Sequence, residues 1–141
     1  MAYSTKADIL EQLDEVILVQ LTDDTGSGFV DDEKVSRAIE DADALVDAHC
    51  QARYQVPLSP VPAIIRQVSV DLAIYNLYSR RGDTVPENRI ERYKNAVRFL
   101  ERVSAGQISL GASSPAPDST TNDVYIDQAD RIFTREKMKG F

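Results

Sequence analysis

The sequence has a single cysteine, Cys50, no tryptophan, and no apolar run near the roughly 20 residues that a membrane-spanning helix needs. One cysteine excludes an internal disulfide, which is typical of a protein of a reducing compartment such as the bacterial cytoplasm. The first residues, MAYSTKADIL, lack the basic and apolar regions of a signal peptide, so we expect none. These absences favour a protein with no membrane partner.

Acidic residues outnumber basic ones, and the net charge of −7 argues against binding to free nucleic acid. The charge is unevenly distributed. Residues 1–50 carry 13 acidic and 3 basic side chains, a net of −10, whereas residues 51–110 carry 9 basic and 5 acidic, a net of +4. Two interpretations stay open: solvated helix faces of different sign, or complementary surfaces that meet head to tail between subunits and close a ring.

Apolar residues recur mostly at helical spacing, and the length of 141 residues suits one domain. Ser4 or Thr5 can cap a short first helix, with Asp8 near the position that completes a capping box. The apolar cluster between Val16 and Leu21 favours a second helix, although its β-branched residues would also tolerate a strand.

Three longer segments follow the polar stretch at residues 21–34. Asp31 or Asp32 can cap a long amphipathic helix, which the prolines of YQVPLSPVP end. Its polar side carries three acidic residues: Glu40, Asp43 and Asp47. Residues 62 to about 80 are apolar on two sides, as is typical of a central helix, and a last helix is predicted from about 86 to 104.

Helical periodicity ends near Gly106, where QISLGASSPAPDSTTND is typical of an extended arm or linker. The final segment holds too many apolar groups for a solvating tail, so we expect it to order against a partner. The predicted fold is all-α: a small bundle of four to five helices over residues 1–106, with an extended C-terminal arm and tail over residues 107–141.

The stretch LTDDTGSGFVDDEK, residues 21–34, has the outline of a calcium loop. A loop that began at Asp23 would place oxygen ligands at Asp23, Thr25, Ser27 and Asp31. Lys34 stands where the template needs a bidentate glutamate, and two of the ligands are uncharged hydroxyls. Tight calcium binding is therefore not expected.

Other chemistry fits the chain poorly. The DTGS of residues 24–27 spells the core of an aspartic-protease motif, but such aspartates act in pairs on a β framework, and this sequence has one copy among helices. His49 and Cys50 are neighbours on a helix, about 100° apart, so they do not form a nucleophile–base pair. We therefore expect that the protein is not an enzyme and that it has no catalytic residue, no metal and no cofactor. The stretch is then a polar turn in which Gly26 and Gly28 supply positive φ.

Three segments, LTDDTGSGFVDD, ARYQVPLSPVP and RFLERVSAGQISLG, resemble a family of small proteins encoded among the head and neck genes of Mu-like phages and prophages. The resemblance covers essentially the whole chain. Family members often carry D-x-D-G-D-G where this chain has DDTGSG at residues 23–28. A metal role suspected for relatives is therefore weaker here.

What the resemblance implies is a helical adaptor, or head-completion, protein of a long-tailed phage. Such proteins form a ring, commonly a dodecamer, beneath the portal, and they link the filled head to the tail. The resemblance thus implies a structural virion protein of the neck, made in the host cytoplasm. Its partners would be further copies of itself, the portal protein and a tail terminator or stopper protein, and its ring would enclose DNA without sequence-specific binding.

The apolar tail is the expected docking segment, because extended or helical tails bind partners through strand addition or a groove. We expect residues 107–141 to make contacts with the portal or with a neighbouring subunit. The candidate contact residues are Ile126, Ile132, Phe133, Arg135, Met138 and Phe141. Two other functions stay open: a small prophage-encoded regulatory or protein-binding module and, more remotely, a calcium-binding helical protein.

Overall fold

The computed structural model describes residues 2–82 and 84–111, and these ranges contain five helices and no strand. The helices are α1 (Lys6–Leu10), α2 (Glu15–Thr22), α3 (Asp32–Cys50), α4 (Ala63–Ser79) and α5 (Glu87–Ser104). The all-α prediction is confirmed, at the upper end of the expected number of helices. Within the described ranges, no helix is both long and apolar enough to span a membrane.

Side chains at the starts of two helices explain where those helices begin. The Thr5 hydroxyl accepts from the Asp8 N–H and the Asp8 carboxylate accepts from the Thr5 N–H, which completes the predicted capping box of α1. For α3 the cap is Asp31, whose Oδ1 accepts from the N–H groups of Glu33 and Lys34 at 3.1 and 3.4 Å. The sequence had left Asp31 and Asp32 as alternatives.

Helix α4 lies at the centre of the bundle. Residues 68–74 are all buried, and at about 100° per residue seven consecutive positions cover the whole circumference of a helix. The helix contacts α1, α2, α3 and α5. The predicted central helix is therefore confirmed, although Ile64 in its first turn is 41% exposed.

A buried polar network fastens the N-terminal segment to the bundle. The Tyr3 N–H donates to Asp43 Oδ2 at 2.9 Å, and the Ser69 hydroxyl donates to Asp43 Oδ1 at 2.7 Å. The hydroxyls of Ser4 and Ser69 are 2.7 Å apart. Burial raises the pKa of Asp43, and the bonds from Ser69 and Tyr3 oppose that rise. The prediction that Asp43 lies on the polar side of α3 was wrong, because its carboxylate is buried and accepts a hydrogen bond from the backbone of Tyr3.

The ring of Tyr3 extends the same network. Its hydroxyl donates to Asp47 and accepts from the buried Leu58 N–H at 2.9 Å. Burial, followed by the bond to Asp47, raises the pKa of Tyr3. One side chain thus connects the N-terminal segment, α3 and the proline-rich turn between α3 and α4.

The described part of the predicted arm packs against the bundle. The Leu110 N–H donates to the Tyr54 hydroxyl at 3.0 Å, and Ile108 and Leu110 contact the core. Residues 112–141, with all six candidate contact residues of the tail, lie outside the described residues. The division at residue 106 stays a prediction.

Removing the Tyr3 hydroxyl tests the network. The Tyr3→Phe substitution leaves the Leu58 N–H buried without its acceptor, so we expect a loss of about 1–3 kcal/mol in the free energy of unfolding. Tyr78→Phe is the matched control, because within the described chain no hydrogen bond to the Tyr78 hydroxyl is found. Urea denaturation of both variants measures the difference, and equal stabilities would contradict the role of Tyr3.

Candidate functional site

The loop between α2 and α3 is organised around the Asp23 carboxylate. Asp23 Oδ1 accepts from the Ser27 N–H at 3.0 Å and from the Thr25 N–H at 3.3 Å, and the hydroxyls of both residues donate to the same oxygen. Asp23 Oδ2 accepts from the Gly28 N–H at 2.7 Å. These bonds, led by the one from Gly28, lower the pKa of Asp23 to about 2. The loop conformation therefore depends on an ionised side chain.

Asp24 fixes the loop to the rest of the bundle through cations. Its Oδ2 is 2.6 Å from Lys34 Nζ and 2.5 Å from an Arg80 guanidinium nitrogen, and Oδ1 is 3.5 Å from Arg81. Arg80 also donates to the Leu21 carbonyl at 2.7 Å. The bond from Lys34, assisted by Arg80, lowers the pKa of Asp24. The end of α4 thereby holds the loop.

The four residues predicted as calcium ligands are close together, but their groups already have partners. Thr25 and Ser27 donate to Asp23, and Asp31 caps α3. The Lys34 ammonium is 3.2 Å from Asp31 Oδ2 as well as 2.6 Å from Asp24 Oδ2. Among the described residues, no group of three or more His, Cys, Asp or Glu is positioned to hold a metal ion. The chain supplies its own cation where a calcium loop would need a metal.

The remaining candidates for chemistry have structural partners. Asp24, the aspartate of the protease-like motif, is engaged in the ion pairs described above rather than in a shared-proton pair. His49 Nδ1 lies 3.0 Å from the Leu45 carbonyl oxygen. Cys50 is fully buried, and burial raises the pKa of its thiol to about 11. A thiol with so high a pKa is a poor nucleophile.

Phe29 is the residue of this loop that the sequence interpretation overlooked. Its side chain is 75% exposed, the highest value among the large apolar residues described as exposed. The available signal was an aromatic residue inside a polar, glycine-bearing turn, where no core is near. An exposed aromatic group on an ordered loop is typical of a protein–protein contact.

A shallow cleft lies between the first half of α4 and the middle of α5. Its volume is about 210 Å³, and Ile64, Val68, Ala96 and Phe99 give it apolar walls. Asp71 also lines the cleft, with a carboxylate oxygen 3.4 Å from an Arg92 guanidinium nitrogen. Burial raises the pKa of Asp71, and Arg92 opposes that rise. The cleft thus has four apolar lining residues, and its polar lining consists of Gln67, Asn95 and the ion pair of Asp71 with Arg92.

The uneven charge of the sequence appears on different elements of the bundle. The exposed acidic residues of the N-terminal half include Glu11, Asp14, Glu15, Asp32, Glu33, Glu40 and Asp41. Helix α5 presents four exposed basic residues, Arg92, Lys94, Arg98 and Arg102, together with three exposed acidic ones, Glu87, Glu91 and Glu101. The bundle therefore carries a strongly acidic N-terminal half and a last helix whose exposed residues have a small basic excess.

Comparison with known proteins identifies the family of this helical bundle. The chain belongs to the family described as "Bacteriophage Mu, Gp36", whose model matches residues 3–127. It is 30% identical over 142 residues to the Mu-like prophage FluMu protein gp36 of Haemophilus influenzae, covering 99% of this chain and 97% of that relative. It is also 30% identical over 145 residues to gene product J of Escherichia phage Mu, covering 100% of this chain and 99% of that relative.

The acid dependence of the loop follows from Asp23. Since its pKa falls from 3.8 to about 2 on folding, the ionised form stabilises the folded loop above pH 4, and that contribution is lost as the pH falls towards 2. Carbon-13 NMR titration of the Asp23 carboxyl should give a midpoint near pH 2. Ser27→Ala should keep most of the shift, because the backbone N–H of Gly28 is its largest cause. A midpoint near pH 4 in the unchanged protein would contradict the geometry.

The position of the Lys34 ammonium leads to a prediction about calcium binding. We expect neither millimolar calcium chloride nor EDTA to change the melting temperature of the protein, because Lys34 already pairs with both Asp24 and Asp31. Lys34→Gln should lower the melting temperature, since it removes the cation that these two carboxylates share. Differential scanning fluorimetry measures all three conditions. A rise in melting temperature with calcium, in the unchanged protein, would show that a metal competes with Lys34.

Proposed function

We propose that this protein is a structural component of the virion. In this proposal it is a head–tail connector, or adaptor, that forms a ring between the portal and the tail or neck proteins of a Mu-like phage. Membership of the Mu family and the separation of charge on a small helical bundle support the proposal. A closed ring needs a heterologous contact, in which two different surfaces of the same chain meet.

The charge distribution is the observation that carries the proposal. One subunit would present the acidic residues of its N-terminal half to the exposed arginine and lysine residues of α5 on the next subunit. Opposite charges would steer the encounter and fix the orientation, while like faces would repel each other. Such a chain favours head-to-tail association over a symmetrical contact of two acidic or two basic faces.

The remaining features of the proposal concern DNA and the portal. DNA must slide through such a ring, so the ring should attract the phosphates only weakly. The net charge of −7 is compatible with weak attraction. Residues 107–141 would dock on the portal or on a neighbouring subunit. We infer this docking role from the sequence, because this segment contains more apolar residues, such as Ile132 and Phe133, than a Pro/Ser linker needs.

The composition of purified particles tests this function. We expect quantitative mass spectrometry to find the protein at about the copy number of the portal protein. Its absence from particles, with normal expression in infected cells, would instead support the alternative, a prophage-encoded regulatory or protein-binding module. The two functions therefore predict opposite results in one measurement.

An enzymatic role has its own test. Asp24→Asn weakens the ion pairs that hold the loop, and any function that depended on the protease-like motif would be abolished by it. We expect particles carrying Asp24→Asn to keep the protein and to remain infectious in proportion to its folded amount. Loss of infectivity with normal incorporation and normal folding would support a chemical role for the aspartate.

A further inference from the structure

The exposed Phe29 side chain has the properties of an interface anchor. It is carried by a loop whose backbone N–H groups at Thr25, Ser27 and Gly28 are all bound to Asp23. The Phe29 N–H itself donates to the Ser27 hydroxyl at 3.4 Å. A side chain on such an ordered loop loses little conformational entropy on binding, and aromatic groups of this kind are frequent hot spots of protein interfaces.

The cleft between α4 and α5 has the size and lining that a phenyl ring requires. An enclosed apolar cavity of roughly 150 Å³ takes up benzene, and the volume of this cleft is about 210 Å³. Its walls are the side chains of Ile64, Val68, Ala96 and Phe99, of which Ile64 is 41% exposed. The Phe99 ring is available for an aromatic pair with an inserted side chain.

The loop and the cleft lie near opposite ends of the same helix. Arg80, directly after the last residue of α4, holds the loop through Asp24, whereas Ile64 in the first turn of α4 lines the cleft. Sixteen residues of helix separate them, which is about 24 Å. Phe29 is 75% exposed on the loop at the other end of the helix, so it does not fill the cleft of its own chain, and the Phe29 of a second copy can.

The charges around the two surfaces are complementary. Residues 23–34 carry five acidic side chains and one lysine. At the cleft, Arg92 is part of the lining. The exposed Arg66, Lys94, Arg98 and Glu91 adjoin lining residues in sequence, so the basic groups outnumber the acidic ones. The one acidic group of the lining, Asp71, faces Arg92 at 3.4 Å. An acidic loop would meet a basic rim.

We propose that Phe29 of one copy inserts into the α4–α5 cleft of the next copy. The contact deepens the proposed ring, on which it rests, by naming the two different surfaces that a heterologous association requires. It also assigns a role to the loop at residues 21–34, whose internal bonds hold an aromatic anchor away from its own core. The loop and the cleft then act as the two halves of one subunit interface.

Two substitutions separate the halves of the interface. Phe29→Ala removes the anchor from an exposed position, and Ile64→Glu places a carboxylate at the cleft, opposite the acidic loop. Glutamate in the first turn of α4 suits the helix dipole, so folding should be retained. Val16→Ala is the matched control, because Val16 is 67% exposed on α2 and lies outside both surfaces.

Sedimentation of the full chain measures association up to millimolar concentration. We expect self-association of the unchanged chain and of Val16→Ala, and a loss of about thirtyfold in affinity for each of the other two variants, as for an aromatic hot spot. Association of the unchanged chain should also weaken as salt is raised. A mixture of Phe29→Ala and Ile64→Glu retains one intact loop and one intact cleft, so it should form heterodimers that grow no further. Equal association of all variants would overturn the proposal.

Photocrosslinking supplies an independent measurement. The full chain with a benzophenone side chain at position 29 should crosslink to a peptide of another copy that contains residues 64–71 or 92–99. An unchanged chain that stays monomeric and gives no such crosslink overturns the contact. That result would leave the proposed virion function standing, because the composition of particles tests it separately.

Discussion

The burial of α4 on every side is the constraint on which the rest of the structure depends. Seven consecutive buried positions, residues 68–74, require neighbours around the whole helix, and α1, α2, α3 and α5 provide them. Burying this much apolar surface is the main stabilising contribution in so small a chain. It also separates the cleft from the loop, because the first half of α4 lines the cleft and Arg80 just beyond its end holds the loop.

The loop between α2 and α3 is held together by its own charged side chains. Asp23 binds backbone N–H groups, which stabilise its charge, and Asp24 is neutralised by Lys34 and Arg80. The result is an ordered acidic loop that presents an aromatic side chain. The stretch therefore contributes an ordered acidic surface, and the carboxylates of Asp23 and Asp24 hold the loop that carries Phe29.

Much of the fold could be predicted from the sequence, because helical periodicity, the capping box at Thr5 and the proline-rich turn are local signals. The burial of Asp43 could not, since its partners are the backbone of Tyr3, 40 positions away, and the hydroxyl of Ser69, 26 positions away. The exposure of Ile64 had the same cause: periodicity gives the face of a helix but not which neighbours cover its ends. The cleft forms only where two helices are in contact, so no local sequence pattern predicts it.

An electron-microscopy map of the neck of intact phage particles tests the central claim most directly. The account predicts a closed ring of this helical bundle between the portal and the tail, in which the acidic N-terminal half of one subunit faces α5 of the next. A neck that contains no density for the bundle would contradict the proposed function. A ring whose neighbouring subunits meet through two acidic or two basic faces would contradict the electrostatic account of its assembly.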